Sequence, residues 1–131
     1  MVVVMEFKPE HAAGVAALCR ALGWPTYSDA DVAARGGSAP GVCTVVAIDG
    51  GELVGFAQAF TDGEAAAYLS QVGVSKTHRR CGIARNLVNE LFRATGASRM
   101  DLVTEDAGAF YRSFPHKEWK GFRLYPDTLS D

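Results

Sequence analysis

The sequence has few cysteines, little net charge and no long run of apolar residues. Its three cysteines, Cys19, Cys43 and Cys81, form no C-x-x-C pair. A disulfide framework or a zinc site is therefore not expected, and a reducing cytoplasm fits best. A formal net charge of −2 gives little support to nucleic-acid binding. The opening residues MVVVMEF are too short an apolar run for a signal peptide or a membrane span. We expect a cytoplasmic protein with neither nucleic-acid nor membrane partners.

Glycine-rich phosphate-binding motifs are also missing. The sequence contains no G-x-x-x-x-G-K-[ST], and no G-x-G-x-x-G follows a strand. Instead, residues 68–96 combine a strand, Tyr68 to Val74, with a basic turn and a helix that begins at about Gly82. The helix is predicted from apolar residues at helical spacing on two adjacent rows, Ile83, Leu87 and Leu91, and Ala84, Val88 and Phe92. The functional prediction centres on this strand–turn–helix unit.

Three arginines, Arg79, Arg80 and Arg85, lie at the start of the predicted helix. Cations at a helix N-terminus oppose the macrodipole, and an anion bound between them would reverse that penalty. Backbone N–H groups of the first turn would donate hydrogen bonds to the anion, and Gly82 would let the backbone approach it closely. The unit therefore predicts a phosphate-binding cradle. The alternative is an ordinary strand–helix connection with solvated arginines.

The remaining elements follow from periodicity and turn chemistry. We predict strands over 2–7, 43–48, 52–60, 66–75 and 99–103, helices over 9–22, 28–35, 82–95 and 106–114, and a final strand or hairpin arm over 117–125. The stretch Gly36-Gly37-Ser38-Ala39-Pro40-Gly41 is expected to break the second helix, and Asp106 to cap the last one. Because a helix connects strands 66–75 and 99–103, these two should run parallel. A chain of 131 residues, 48% of them hydrophobic, is expected to form a single domain over 1–131.

The segment Arg79-Arg80-Cys81-Gly82-Ile83-Ala84 fits the pattern [RQ]-x-x-G-x-[GA]. Since it follows a V-x-V strand end and opens an amphipathic helix, it resembles the GNAT superfamily of acyl-CoA-dependent N-acetyltransferases. The predicted element order also matches the GNAT arrangement along nearly the whole chain, least well in the C-terminal strand region. The resemblance implies an α+β (α/β) fold, in which helices flank a mixed, mostly antiparallel sheet with splayed central parallel strands. It also implies acetyl-CoA as acyl donor, and no metal.

The resemblance implies which residues hold coenzyme A. Backbone groups of Val72, Gly73 and Val74 would pair with the pantetheine arm, and backbone N–H groups of residues 80–84 would hold the pyrophosphate. Gly73 has a second interpretation, a small bulge in the strand, and His78 could add a phosphate contact. The Cys81 side chain is expected to be structural, since its position in the pattern is variable. The expected cofactor-binding set is Val72, Gly73, Val74, Arg79, Arg80, Cys81, Gly82, Ile83, Ala84 and Arg85.

Tyr111 is the candidate general acid. A phenol with a pKa of about 10 keeps its proton at neutral pH, yet can donate it to a developing thiolate. The run Ala109-Phe110-Tyr111-Arg112 resembles the family's FY element, whose tyrosine commonly faces the sulfur. The alternative is a tyrosine packed at the helix edge with its hydroxyl in water. Trp24 and Tyr27 would line the amine pocket in the family layout, or else pack in the core beside a loop.

The general base is where the sequence departs from the family pattern. Many relatives carry a glutamate on the fourth strand, where this chain has Ser70-Gln71. Neither residue can act as a base near neutral pH. Possible substitutes are Asp62, Glu64, Glu105 and His116, and each is also a plausible solvated loop residue. Ordered water beside Ser70 could carry the proton instead, or the amine could arrive neutral, so no base is assigned.

The expected function is transfer of an acetyl group from acetyl-CoA to a primary amine by direct attack in a ternary complex. The acceptor would be a small polar amine or a protein amine, and a homodimer is left open. Acidic residues near the supposed acceptor side, Asp29, Asp31, Asp62 and Glu64, would tolerate a cationic amine. One alternative is a non-catalytic acyl-CoA-binding or sensor domain, which the missing glutamate favours and Tyr111 opposes. A structural dimerisation module would need no arginine cluster.

Overall fold

The structure, a computed structural model, describes residues 1–127 and consists of five strands and four α-helices. The elements are β1 Val2–Glu6, α1 Ala12–Leu22, α2 Ala30–Gly37, β2 Val42–Asp49, β3 Glu52–Thr61, β4 Ala66–Val74, α3 Ile83–Thr95, β5 Arg99–Asp101 and α4 Gly108–Arg112. Two short 3-10 turns, Pro9–His11 and Lys76–His78, precede α1 and α3. Within the described range, no helix is long and apolar enough to cross a membrane.

The five strands form one mixed sheet in the order β1-β2-β3-β4-β5. The first four pair antiparallel, and β4 and β5 pair parallel, which confirms both the predicted fold class and the predicted parallel pair. The parallel ladder is short, since it joins only residues 66–68 to residues 99–101. Beyond Tyr68, β4 has no strand partner on that side among the described residues. This is the splay between the central strands that the resemblance implied.

Helices cover both faces of the sheet. Phe56 of β3 packs in a buried cluster with Val15, Leu18 and other side chains of α1. Its neighbour Gly55 points the opposite way, because a Cβ built there would lie 3.0 Å from Leu87 Cδ1 of α3. Alternation along one strand therefore places α1 and α3 on opposite sides of the sheet.

Helix α2 is longer at its C-terminal end than the sequence predicted. Asp29 caps its N-terminus, where Oδ1 accepts hydrogen bonds from the backbone N–H groups of Asp31 at 2.8 Å and Val32 at 3.2 Å. The helix continues through Gly36 to Gly37 and ends within the stretch 36–41, where the break was predicted. A Cβ on Gly37 would lie 2.7 Å from Phe7 Cε2, so this glycine permits close packing.

The contacts of the chain divide it into two compact units, Met1–Asp101 and Leu102–Asp131. The prediction of one domain over 1–131 stays a prediction. In the second unit α4 begins at Gly108, and Asp106 does not cap it, since the backbone N–H of Ala107 bonds Thr104 Oγ1 at 3.1 Å.

The predicted final strand over 117–125 is wrong. Residues 116–126 form neither helix nor strand. The four apolar side chains that suggested it are largely exposed, at 77% for Trp119, 80% for Phe122, 87% for Leu124 and 66% for Tyr125. Strand-type composition does not make a strand without a neighbour that binds its backbone N–H and C=O groups. The polar tail after Pro126 lies mostly outside the described residues.

Candidate functional site

The basic turn before α3 has two residues in the left-handed backbone region. Gly82 has φ 79°, and Arg80, with φ 63°, is the one non-glycine residue of positive φ in the described chain. Such a conformation costs a non-glycine residue on the order of 1–3 kcal/mol, and it concentrates at functional sites. A Cβ on Gly82 would meet no atom within 4 Å. Gly82 is therefore required by the backbone, and the space in front of it is open.

The first turn of α3 offers hydrogen-bond donors without a capping side chain. Gly82 is the N-cap residue, no side chain caps it, and the turn contains no acidic residue. The first α-helical bond runs from the N–H of Asn86 to the carbonyl of Gly82 at 3.1 Å. The N–H groups of Ile83 and Ala84 therefore have no partner within the helix. With Arg79 and Arg80 exposed just before it, this end of the helix attracts anions.

His78 fixes the basic turn to the hairpin between β2 and β3. Its Nε2 lies 2.8 Å from Asp49 Oδ2, and its Nδ1 lies 2.8 Å from Thr77 Oγ1. The hydrogen bond from His78 is the main reason that the pKa of Asp49 is lowered. Both ring nitrogens are thus engaged within the protein, so the structure gives His78 a positioning role in place of the suggested phosphate contact.

The backbone of β4 presents Val72 and Val74 at its unpaired edge. The N–H of Ser75 donates to Val54 O of β3 at 2.7 Å, and Gly73 pairs with Phe56 in the same ladder. Because backbone groups alternate in direction along a strand, those of Val72 and Val74 face away from β3. On that side β4 has no strand partner after Tyr68 within the described residues. Two of the three predicted pantetheine-binding positions, Val72 and Val74, therefore have backbone N–H and C=O groups available at this edge. Those of Gly73 are directed toward β3.

Gly73 is needed for packing, and the suggested bulge lies elsewhere. A Cβ on this residue would lie 2.9 Å from Trp24 Cζ3 and 3.1 Å from Leu22 Cδ1. The bulge of β4 is at Ser70, because Gln58 pairs with Gln71 whereas the next residue, Ala59, pairs with Leu69. The bulged residue therefore belongs to the Ser70-Gln71 pair, the neighbourhood in which the resemblance led us to look for a glutamate.

A buried polar cluster surrounds this bulge. The side chain of Gln58 is 1% exposed. Its Oε1 accepts from Tyr27 Oη at 3.1 Å, and it also lies 3.3 Å from both Ser70 Oγ and Gln71 Nε2. Its Nε2 donates to Tyr27 Oη at 2.9 Å and Thr44 Oγ1 at 3.4 Å. We call Tyr27, Thr44, Gln58, Ser70 and Gln71 the Gln58 cluster.

Sequence reasoning missed Gln58. The available signal was a lone amide in the apolar run Phe56-Ala57-Gln58-Ala59-Phe60, because a buried polar side chain requires partners. Ser70 also donates to the backbone carbonyl of Gln58 at 3.1 Å. The cluster therefore joins β4 to β3 through the bulge and to Tyr27 before α2.

The four residues considered as a general base lie outside helices and strands. Asp62 Oδ1 accepts from the N–H groups of Glu64, Ala65 and Ala66 at 2.9, 3.0 and 3.2 Å. The bond from Glu64 is the largest of the effects that lower the pKa of Asp62. Glu64 and Glu105 are exposed, and His116 Nδ1 lies 2.8 Å from Phe114 O. No group of three His, Cys, Asp or Glu side chains in the described chain is arranged to hold a metal.

Tyr111 lies in the second unit, on α4, within a set of aromatic rings. Its ring packs edge-on against Phe110 at 4.9 Å between centroids and stacks on Phe114 at 6.4 Å. Burial raises the pKa of its phenol above the ordinary value of 10.0. Arg112 beside it pairs with Glu118 at 2.9 Å. The hydroxyl of Tyr111 is therefore neutral at any physiological pH and can act only as a proton donor there.

One family model matches most of the chain. A model of the acetyltransferase (GNAT) family matches residues 12–114, which include the basic turn, the bulge and Tyr111. No curated protein sequence matches the chain.

Several solved acetyltransferase structures have the same fold. The structure of AAC(6')-Iy with the bisubstrate analogue CoA-S-monomethyl-acetylneamine has 17% identity, covers 97% of this chain and 98% of that one, and gives a TM-score of 0.80. An aminoglycoside acetyltransferase from an uncultured soil metagenomic sample has 20% identity, coverage of 97% and 99%, and a TM-score of 0.73. A ribosomal-protein-alanine N-acetyltransferase from Brucella melitensis biovar Abortus has 20% identity, coverage of 95% and 99%, and a TM-score of 0.74. At these identities the likeness concerns the fold.

Proposed function

Because this chain belongs to the acetyltransferase (GNAT) family and is an N-acetyltransferase, we propose that it transfers an acetyl group from acetyl-CoA to a primary amine by direct attack in a ternary complex. The single observation that carries the proposal is the basic turn, where Arg80 and Gly82 adopt left-handed conformations before an uncapped helix. A strained arginine beside open space is a costly arrangement for a plain connection. It is suited to a polyphosphate.

The pyrophosphate of coenzyme A binds at this turn in the proposal. Backbone N–H groups of residues 80–84 donate to its oxygens, and the guanidinium groups of Arg79, Arg80 and Arg85 balance its charge. Cys81 and Ile83 contribute backbone only, since the Cys81 thiol contacts Arg79 O at 3.4 Å and the Ile83 side chain is buried. Ala84 and Gly82 leave room for close approach.

The pantetheine arm lies along the unpaired edge of β4. Backbone groups of Val72 and Val74 hydrogen-bond its amides as a neighbouring strand would. Gly73 contributes indirectly, because its missing side chain allows Trp24 to pack against the strand. The thioester then lies close to the bulge at Ser70, which follows from the order of these residues along β4.

Tyr111 is the proposed general acid. Attack of the amine nitrogen on the thioester carbonyl forms the C–N bond and breaks the C–S bond, and the departing thiolate takes the phenolic proton. The nitrogen, which is positively charged after the attack, releases one proton to solvent, and Tyr111 recovers a proton from solvent. Its raised pKa keeps the phenol protonated at neutral pH, which the role requires. The net reaction converts amine and thioester into amide and thiol.

The acceptor class rests on two findings. The neighbouring structures include enzymes named for aminoglycosides and for a ribosomal-protein alanine, all of which are amines. Trp24 and Tyr27 lie before α2, on the face that holds the Gln58 cluster, where a small polar amine could bind. All three cysteines are free, which supports the cytoplasm as the proposed location.

The test is thiol release from acetyl-CoA across a panel of amines, alongside calorimetric binding of coenzyme A. We expect binding, and thiol release with at least one small amine. Binding without release on any amine would favour a non-catalytic acyl-CoA sensor, a candidate that Ser70-Gln71 supports because neither side chain is a base. Absence of binding would contradict both functions.

A further inference from the structure

We propose that the free edge of β1 binds a second copy of this chain. The two β1 strands pair antiparallel about a two-fold axis at Val4, and the two sheets become one continuous sheet. Such a dimer concerns the assembly of the protein and does not depend on acetyl transfer. Its basis is the unprotected edge of β1, the direction of the β1 backbone groups and the order of the β1 side chains.

β1 forms an edge of the sheet that lacks the usual protection against pairing. Among the described residues it has a strand partner on one side only, and its ladder with β2 is regular from Val2 to Glu6. The strand contains no lysine and no proline, two residues that commonly protect an edge. The opposite edge differs, because β5 is only three residues long and two of them, Arg99 and Asp101, are charged and exposed. Of the two edges, β1 is therefore the one suited to pair with a further strand.

The backbone groups of β1 point alternately toward β2 and toward the free edge. The N–H of Phe7 donates to Thr44 O at 2.9 Å, immediately after the last residue of β1. Because the direction alternates along an antiparallel strand, the groups of residues 3 and 5 also point toward β2. The N–H and C=O groups of Val2, Val4 and Glu6 therefore point toward the free edge. A second strand can bind them as β2 binds the others.

One register of two β1 strands satisfies all of these outward groups. A two-fold axis at Val4 places Val4 opposite Val4 of the second copy and Val2 opposite Glu6. These are the hydrogen-bonded pairs of an antiparallel ladder, and all five residues of each strand are paired. Each Glu6 lies opposite a valine and is four residues, about 13 Å, along the ladder from Glu6 of the other copy. The register therefore brings no like charges together.

The same register also matches the exposed side chains of β1. Val3 and Met5 are 48% and 36% exposed. They lie on the α1 face of the sheet, because Met5 pairs with Val46 of the buried cluster around α1. The axis at Val4 places Val3 opposite Met5 of the second copy, in the non-hydrogen-bonded pairs where side chains approach most closely. Apolar side chains that are exposed in the monomer are thus covered by apolar side chains in the dimer.

The first experiment measures the oligomeric state by sedimentation equilibrium. The wild-type chain should show a monomer–dimer equilibrium with the dimer as its largest species, since a two-fold pair occupies the β1 edge of both copies. Met5→Lys should raise the dissociation constant of the dimer by roughly tenfold or more, because each dimer would then cover two charges that lack counter-ions. Val32→Lys, in α2, is the matched control, since Val32 is also 36% exposed, and it should leave the constant unchanged.

Disulfide cross-linking tests the register. Position 3 lies opposite position 5 of the second copy with about 4.5 Å between the Cα atoms, a separation that permits a disulfide. Two copies of position 3, or two of position 5, are diagonal neighbours roughly 7–8 Å apart, which is too far without backbone movement. A mixture of Val3→Cys and Met5→Cys should therefore give a cross-linked dimer after mild oxidation. Either variant alone should cross-link no more than the wild-type chain, whose three free cysteines set the background.

A wild-type chain that stays monomeric at the highest concentration reached would overturn the proposal. A dimer that Met5→Lys and Val32→Lys weaken equally, or that gives no cross-link in the mixture, would use another surface and overturn the assignment to β1. If Met5→Lys does not fold, Val3→Lys replaces it with the same expected loss, since Val3 is the more exposed of the two. None of these results bears on acetyl transfer, which thiol release measures separately.

Discussion

His78 Nε2 lies 2.8 Å from Asp49 Oδ2, and this pair ties the start of the basic turn to a hairpin that is distant in sequence. Both side chains are only partly exposed, at 22% for His78 and 33% for Asp49. The pair therefore limits the conformations of the turn that comes immediately before Arg79. A ligand held by Arg79 and Arg80 benefits, because less conformational freedom is lost when it binds.

The Asp49–His78 pair should make stability depend on pH. The pKa of Asp49 is lowered from its ordinary value of 3.8, chiefly by the hydrogen bond from His78. A lowered pKa stabilises the folded state above the ordinary value, and that contribution disappears as pH falls through the folded value. We expect Asp49→Asn to lower the Tm at neutral pH. In strong acid the difference in Tm between the variant and the wild type should disappear. Thermal unfolding over a pH series measures this, with Glu64→Gln in an exposed turn as the control. A difference in Tm that is independent of pH would show that the Asp49 carboxylate does not provide this stabilisation.

Gly82→Glu should abolish detectable binding of coenzyme A. A carboxylate in the open space before α3 would occupy the anion site and repel the phosphates. Gly63→Glu is a matched control, because Gly63 also has a positive φ, 81° against 79°, and also has open space around its Cβ position. Both variants bear the same backbone strain, so calorimetry should show loss of binding only in the first. Equal weakening in both would mean that the effect is one of stability.

Sequence periodicity was sufficient for most of the sheet and for the basic turn. The hairpin at Asp49-Gly50-Gly51 and the helix-connected parallel pair depend on local signals, and the structure contains both. Gly82 was identifiable because its conformation and its place before a helix are both local. The fold class was predicted from the resemblance to the GNAT superfamily, which the predicted order of elements supported.

The Gln58 cluster was not predictable, because its members meet through strand register. The extra residue at Ser70 shifts the register of β4 and places Gln71 opposite Gln58. No local sequence pattern indicates this bulge. The segment 117–125 shows the opposite error, because a strand was predicted there and the structure has none. Its aromatic residues fit a strand, yet strand formation depends on a partner that sequence spacing does not specify.

Gly73→Ala should destabilise the first unit by about 1–3 kcal/mol through overpacking. The new Cβ would lie 2.9 Å from the ring of Trp24, and the backbone itself needs no glycine because its φ is ordinary for a strand. Trp24→Phe should relieve the contact. In a double-mutant cycle by urea denaturation, we therefore expect the double variant to be more stable than the two single effects predict. Additive effects would show that the packing of Trp24 does not require a glycine at position 73.

Tyr111→Phe should lower kcat by about 10²-fold while the Kd for coenzyme A stays the same, because general-acid assistance is lost and no cofactor-binding group is removed. Calorimetry and thiol release separate the two quantities. Tyr125→Phe, at an exposed site of the same unit, is the control for loss of a phenol. The pH profile gives a second readout. Because burial raises the pKa of Tyr111, the midpoint of the alkaline decline of wild-type kcat should lie above the ordinary value of 10.0, and the decline should disappear in the variant. Normal turnover by Tyr111→Phe would mean that the thiolate leaves without this proton.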